Sequence, residues 1–171
     1  MPAFEAIASN TLTGTSSTVS FASIPSTYEH LQLRMFARVS GATYGRFAFI
    51  RLNNDSAANY AQHQLNGNGA TASGNASISL TFIEVIRCTG ASTAAGIYAP
   101  AIVDILDYAS ANKYKTVRSL TGNDQNGHGS ALFASGLWLS TAAINQIDIT
   151  PQSSDTFAVG SVFALYGLRS A

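Results

Sequence analysis

The sequence predicts an all-β protein: one antiparallel two-sheet β-sandwich of jelly-roll type, with residues 1–171 forming a single domain. Three observations lead there. Apolar residues alternate with a period of two along most of the chain, the pattern of strands with one buried face. These runs are short and are separated by clusters rich in Gly, Asn and Ser. Almost no stretch keeps the 3.6-residue period of a helix. At 171 residues the chain is long enough to bury roughly 70% of the surface of its unfolded form, so a core forms without disulfides or metal.

The clearest strand is residues 30–39. Leu31, Leu33, Met35, Ala37 and Val39 share one face, and Gln32, Arg34 and Arg38 share the other, with Phe36 the exception. Residues 46–52 follow, with Phe47 and Phe49 opposite Ala48, Ile50 and Leu52. Residues 40–45 carry Gly41 and Gly45 and are expected to join the two strands as a hairpin. Further strands are expected at 4–9, 18–21, 60–65, 77–86, 99–106, 114–120, 131–139, 144–150 and 161–168. In the last, Val162, Ala164, Tyr166 and Leu168 oppose Phe163 and Leu165. Apolar residues on both faces imply a central strand, or one covered by a neighbouring subunit. Residues 66–75 read as an exposed Gly/Asn-rich loop and 122–127 as a turn. Single helical turns are expected at 140–143, capped by Ser140, and at 108–112. No internal repeat is present, so no fibrous shaft is encoded.

Composition narrows the function. Charged residues make up 11% of the chain, against about 25% in ordinary soluble domains, while hydrophobic types reach 46%. Ser, Thr, Asn, Gly and Ala fill the deficit. Such a surface suits a protein packed against copies of itself or on a larger particle; an ordinary β domain with an uncharged skin is the alternative. Nine basic and nine acidic residues cancel, and Lys113 and Lys115 are the sole lysines. Without a basic face, nucleic acid is not an expected partner. The opening Met1-Pro2-Ala3-Phe4-Glu5 lacks the basic and apolar regions of a secretory signal. No apolar run approaches the ~20 residues of a membrane-spanning helix, so no membrane partner is expected. Cys88 stands alone, so an intrachain disulfide is excluded, in keeping with synthesis in a reducing cytoplasm.

The residues that carry chemistry elsewhere are poorly arranged for it here. His30, His63 and His128 lack metal-ligand spacing, and Cys88 has no cysteine partner for zinc. Residues 53–56 and 123–127 offer loop oxygens for calcium, but only one carboxylate each; Asn, Asp and Ser there shape turns equally well. Gly67-Asn68-Gly69 lacks the third glycine and the helix of a dinucleotide motif. No Gly-x-Ser-x-Gly elbow occurs. Asp104 and Asp107 are three residues apart, which puts them on opposite faces of a strand. No catalytic residue, cofactor or metal is therefore expected. The arginines are more informative. Arg34, Arg38, Arg46, Arg51 and Arg118 fall on expected strands, where their planar side chains suit fixed ion pairs within or between subunits. Asp104, Asp148 and Glu84 are candidate partners, and solvated sheet-face charges are the competing reading. Together with Trp138, these five arginines are the candidate intersubunit or particle contacts.

One segment has a family likeness. Ser23-Ile24-Pro25, then Thr27-Tyr28, His30-Leu31 and Leu33-Arg34 form a run that leads into the long strand. Arg51-Leu52-Asn53-Asn54-Asp55 with Asn59-Tyr60 and 65–69 follow in order. So do 104–109 with 112–120, and the ending Phe163-Ala164-Leu165-Tyr166-Gly167-Leu168. Together these pieces resemble a family of β-sandwich proteins of tailed-bacteriophage virions. The resemblance implies a capsid cement or decoration protein or, alternatively, a tail-fibre or appendage module binding a host receptor or glycan. It implies a homotrimer on the virion, with the major capsid protein as partner and no catalytic residues to carry over. In the appendage reading Trp138, Tyr44, Tyr60 and Tyr98 are candidate aromatic platforms. Within the recurrent run, Pro25 fixes a backbone angle ahead of the strand, and Tyr28 has a ring to pack. The run is therefore expected to set the strand entry.

Overall fold

The computed structural model describes residues 3–169. Met1 and Pro2, on which part of the amino-terminal reading rests, lie outside the described residues, as do Ser170 and Ala171. The first six strands are β1 (Phe4–Thr11), β2 (Val19–Phe21), β3 (His30–Ala37), β4 (Gly45–Leu52), β5 (Tyr60–Gly67) and β6 (Ala72–Leu80). The rest are β7 (Ile83–Thr89), β8 (Ala99–Ile105), β9 (Lys115–Asp124), β10 (Gly129–Trp138), β11 (Ile147–Pro151) and β12 (Val162–Leu168). No helix occurs among the described residues. All strand pairs are antiparallel, in an eight-stranded sheet ordered β1-β12-β3-β8-β9-β10-β5-β6 and a four-stranded sheet ordered β2-β11-β4-β7.

The connectivity shows the fold type. With the β5–β6 and β9–β10 hairpins set aside, the chain passes to the opposite sheet at every step except β4 to β7, which are neighbours in the small sheet. The remaining strands, β1-β12-β3-β8 facing β2-β11-β4-β7, are the two sheets of a jelly roll. The two hairpins extend the first sheet beyond β8. Between the sheets lie Leu31, Leu33 and Met35 of β3, Ile50 and Leu52 of β4, and Phe163 and Leu165 of β12, all buried. The alternation read for these strands matches their burial, and β12 is internal to its sheet.

Several local expectations differ from the structure, each for a physical reason. Residues 40–45 are not a hairpin, because β3 and β4 lie in opposite sheets. The segment crosses the sandwich end and packs on Gly90, where a Cβ would lie 2.1 Å from the Thr43 carbonyl oxygen. The expected strand at 77–86 is two strands, β6 and β7, which leave for different sheets. The loop at 66–75 shrinks to 68–71. Asn68 Oδ1 accepts the N–H groups of Ala70 and Thr71 at 3.0 and 2.8 Å, a tight Asx turn that releases the rest to β6. Neither helical turn forms. Backbone carbonyls of Ser110, Lys113 and Thr141 instead accept from the buried Lys115 ammonium at 2.7, 2.7 and 3.1 Å.

The edge strand β7 has neighbours of an unusual kind. It pairs with β4 on one side only, which leaves backbone groups facing the interior on the other. Side chains of the large sheet satisfy them. Gln62 Oε1 accepts from Glu84 N–H, and Gln64 Nε2 donates to the Glu84 carbonyl. Ser119 Oγ donates to the Val85 carbonyl. Thr121 Oγ1 accepts from Arg87 N–H and donates towards the Arg87 or Pro100 carbonyl. Gln62, Ser119 and Thr121 are accordingly buried. On β9 this inverts the ordinary alternation: Ser119 and Thr121 face in, and Leu120 faces out.

Thr121→Val keeps shape and removes the hydroxyl, so buried β7 groups lose their partner. Urea denaturation should show a loss of about 1–3 kcal/mol. Leu120→Ser, one residue away but exposed, should change stability by no more than ~0.5 kcal/mol.

Candidate interaction face

The outer face of the large sheet is built of two parallel rows. Strand register places Ile102 of β8 opposite Leu120 of β9, Leu120 opposite Phe133 of β10, and Phe133 opposite Leu65 of β5. These four side chains are 43%, 60%, 49% and 58% exposed. They form a continuous apolar row spanning about 14 Å at the usual strand spacing. The second row is polar and runs Gln32, Asp104, Arg118, Ser135 and His63 across β3, β8, β9, β10 and β5. Asp104 organises it, accepting from Gln32 Nε2 at 2.8 Å and from Arg118 Nη2 at 2.9 Å. Two hollows of about 210 and 260 Å³ lie along Arg118, both walled by Phe133 and Asp104.

Two of the five strand arginines serve this face. Arg118 holds Asp104 as one of its expected partners. Arg34 continues the apolar row beyond Ile102. Its guanidinium lies 5.4 Å from the Phe4 ring and 5.2 Å from the Tyr166 ring, and its Nε donates to Gln32 Oε1 at 2.7 Å. The other three are spent within the chain. Arg38 donates to the carbonyls of Ala91, Thr93, Ala94 and Ile97, tying down the loop between β7 and β8. Arg46 Nε pairs with Asp155 Oδ2 at 2.7 Å, and Arg51 Nε donates to the Thr81 carbonyl at 3.0 Å. Asp148 stands opposite Arg51 in register but accepts from Ser20 and Gln146 instead.

Trp138 does not belong among the surface contacts. It is 2% exposed, and its Nε1 donates to Asp55 Oδ2 at 2.7 Å. Tyr60 is fully buried beside it, and its hydroxyl donates to the carbonyl of Leu52 or Asp55. Tyr98 stacks on Phe36 and bonds the Val159 carbonyl. Of the four aromatic platforms considered, only Tyr44 stands at an open cleft, stacked on His128 with ring centroids 4.3 Å apart.

Residues of the segments beginning at Ser23, Arg51 and Asp104 hold the structure together. Tyr108 is fully buried, and its hydroxyl donates to the Pro25 carbonyl and lies 3.4 Å from the Tyr28 nitrogen. The Tyr28 ring lies over Gly167, where a Cβ would come within 2.2 Å of it, and the Arg169 guanidinium covers the ring at 4.5 Å. The run from Ser23 thus sets the entry to β3, as expected from Pro25 and Tyr28. Asn53 Oδ1 accepts from the backbone of Asn145 and Gln146. Asp55 gathers Ala57, Asn59 and Trp138, and these bonds hold its carboxyl below the usual range.

Among the described residues no group of three or more His, Cys, Asp or Glu lies close enough to share a metal ion. No protein-family model matches the sequence, and neither does any curated protein. Among solved structures, the galectin LEC-6 of Caenorhabditis elegans is similar over 91% of this chain and 94% of its own, with 9% identity and a TM-score of 0.38. That likeness is too remote to bear on function.

Burial pushes the Cys88 thiol and the Tyr60 phenol up to about 12, from ordinary values of 9.0 and 10.0. Both groups hold their protons more tightly when folded. Their contribution to stability is therefore complete below about pH 9 and is lost as pH rises towards 12. A pH series of urea denaturations should show stability declining over that window. Native Cys88 should not react with a disulfide reagent at pH 8, and should react at once in denaturant.

Proposed function

We propose that this chain is a non-catalytic structural protein of a tailed-phage particle. In this reading it is a capsid decoration protein that seats on the major capsid protein through the outer face of its large sheet. One observation carries the reading: the continuous exposed row Ile102, Leu120, Phe133 and Leu65. A monomer gains nothing by presenting four large apolar side chains in line, whereas a docked protein gains their burial. The adjoining row supplies specificity. Asp104 and Arg118 present both signs of charge in a fixed pair, which orients a partner without attracting every polyanion or polycation nearby. The likeness of the segments beginning at Ser23 to phage virion proteins points to the same partner. Seating of this kind stabilises a shell by mass action, because the burial exists only in the assembled state.

The first test is the copy number of the chain in purified particles. Numbers comparable to the major capsid protein are expected. A few copies per particle would place it on the tail or a vertex, and the receptor-binding appendage reading would replace this one. The second test uses Leu120→Glu and Phe133→Glu. Both should leave the melting temperature of the isolated protein nearly unchanged and abolish its binding to stripped shells.

A further inference from the structure

The large and small sheets together have four edges, and three are protected against strand addition. β2 is only three residues long. β1 carries a bulge between Ala6 and Ala8, which disrupts the regular ladder an incoming strand needs. β7 is satisfied by Gln62, Gln64, Ser119 and Thr121 from the opposite sheet. The fourth edge, β6, has a bulge of its own between Ser77 and Leu80, with Ser79 at a positive φ, but ahead of it the edge is open. It is nine residues long, pairs only with β5, and is regular from Ala72 to Ser77. Its residues Ala72–Leu80 include no charged side chain and no proline, the two commonest guards of an exposed edge. Among the described residues no hydrogen bond reaches its outer edge. Alternate residues of a regular edge turn both N–H and C=O outward, so this stretch is a template for another strand.

We infer that β6 pairs antiparallel with β6 of a second copy about a two-fold axis, joining two large sheets into one. The occupant follows from chemistry on the page. An uncharged edge is complementary to itself, and a net charge of zero leaves the two copies without mutual repulsion. A two-fold pairing closes after one contact, whereas a head-to-tail chain of sheets would have to use the β1 edge, whose bulge leaves only the shorter regular runs Phe4–Ala6 and Ala8–Thr11. Two further features fit a neighbour here. Ile78, in the bulge just past the regular stretch, is 76% exposed, and a second copy supplies apolar cover for it. Gly74 lies opposite Leu65, so pairing near Gly74 brings the apolar rows of the two copies into line and doubles the face. The inference rests on the edge alone and stands whether or not the protein decorates a capsid.

The test combines sedimentation with single-cysteine cross-linking of the whole chain. Native Cys88 is buried, so it contributes no background. Ser73→Cys, Gly74→Cys, Asn75→Cys, Ala76→Cys and Ser77→Cys are oxidised in turn, with Ser9→Cys on β1 as control; a Cβ at Gly74 meets only the Gln64 carbonyl oxygen, at 3.6 Å. Efficient covalent dimers are expected at one β6 position, with yield falling away from it and none at Ser9→Cys. The unmodified protein should sediment as a dimer. Asn75→Lys should weaken self-association by roughly tenfold or more through like-charge apposition, with an unchanged circular dichroism spectrum. Leu120→Glu, off the edge, should remain dimeric. A monomer at all concentrations, a trimer, or a dimer lost in Leu120→Glu and kept in Asn75→Lys would each overturn the pairing.

Discussion

Every sheet edge presents backbone donors and acceptors that need partners, and the way β7 meets that need shapes much of the molecule. Its inner edge faces the large sheet, out of reach of water and of any other strand. Gln62, Gln64, Ser119 and Thr121 rise from that sheet to complete the hydrogen bonds. The two sheets are consequently joined by polar bonds as well as by apolar packing. Unlike apolar contacts, these bonds have a required geometry, so they set the position of β7 over β5 and β9. They also account for the face on the other side of the sheet. With Ser119 and Thr121 turned inward, Leu120 must point out, because side chains on a strand alternate. The exposed apolar row is in this sense the reverse side of the edge closure.

A second set of polar groups fixes the loops at one end of the sandwich. Lys115 is buried with three backbone carbonyls around its ammonium. Burial lowers its pKa, while Asp107 acts in the opposite direction. Those carbonyls hold the segments before β9 and after β10. The same region places Tyr108 so that its hydroxyl reaches Pro25. Tyr28 then closes over Gly167. Residues distant in sequence are in this way committed to one corner.

The candidate face was partly legible beforehand. Strand position marks Arg34 and Arg118 as candidates, with Asp104 as a partner, because it holds guanidinium groups in fixed directions. Arg38, Arg46 and Arg51 met the same criterion, yet they bond loops and Asp155 within the chain. Periodicity assigns a residue to a face and says nothing of what lies beyond it. Trp138 shows the same limit: Asp55, 83 residues away, is what consumes its indole N–H. The apolar row was not anticipated. Leu65 and Leu120 belong to strands whose core-facing residues include Gln62, Ser119 and Thr121, and a hydrophobicity pattern alone assigns the two sides of β9 the other way.

The sequence by itself determined the class of fold, the approximate place of most strands and the burial of β3, β4 and β12. These follow from alternation and turn chemistry, which act over a few residues. Only the tertiary structure decided which strands share a sheet. Residues 40–45 pass as a hairpin turn by composition, but they carry the chain across the sandwich. Residues 77–86 read as one strand and divide between two sheets. The orientation of β9 was likewise decided at long range, because the partners of Ser119 and Thr121 lie on β7, 34 residues away. Strand pairing and edge satisfaction are contacts between distant parts of the chain, and no local pattern encodes the partner.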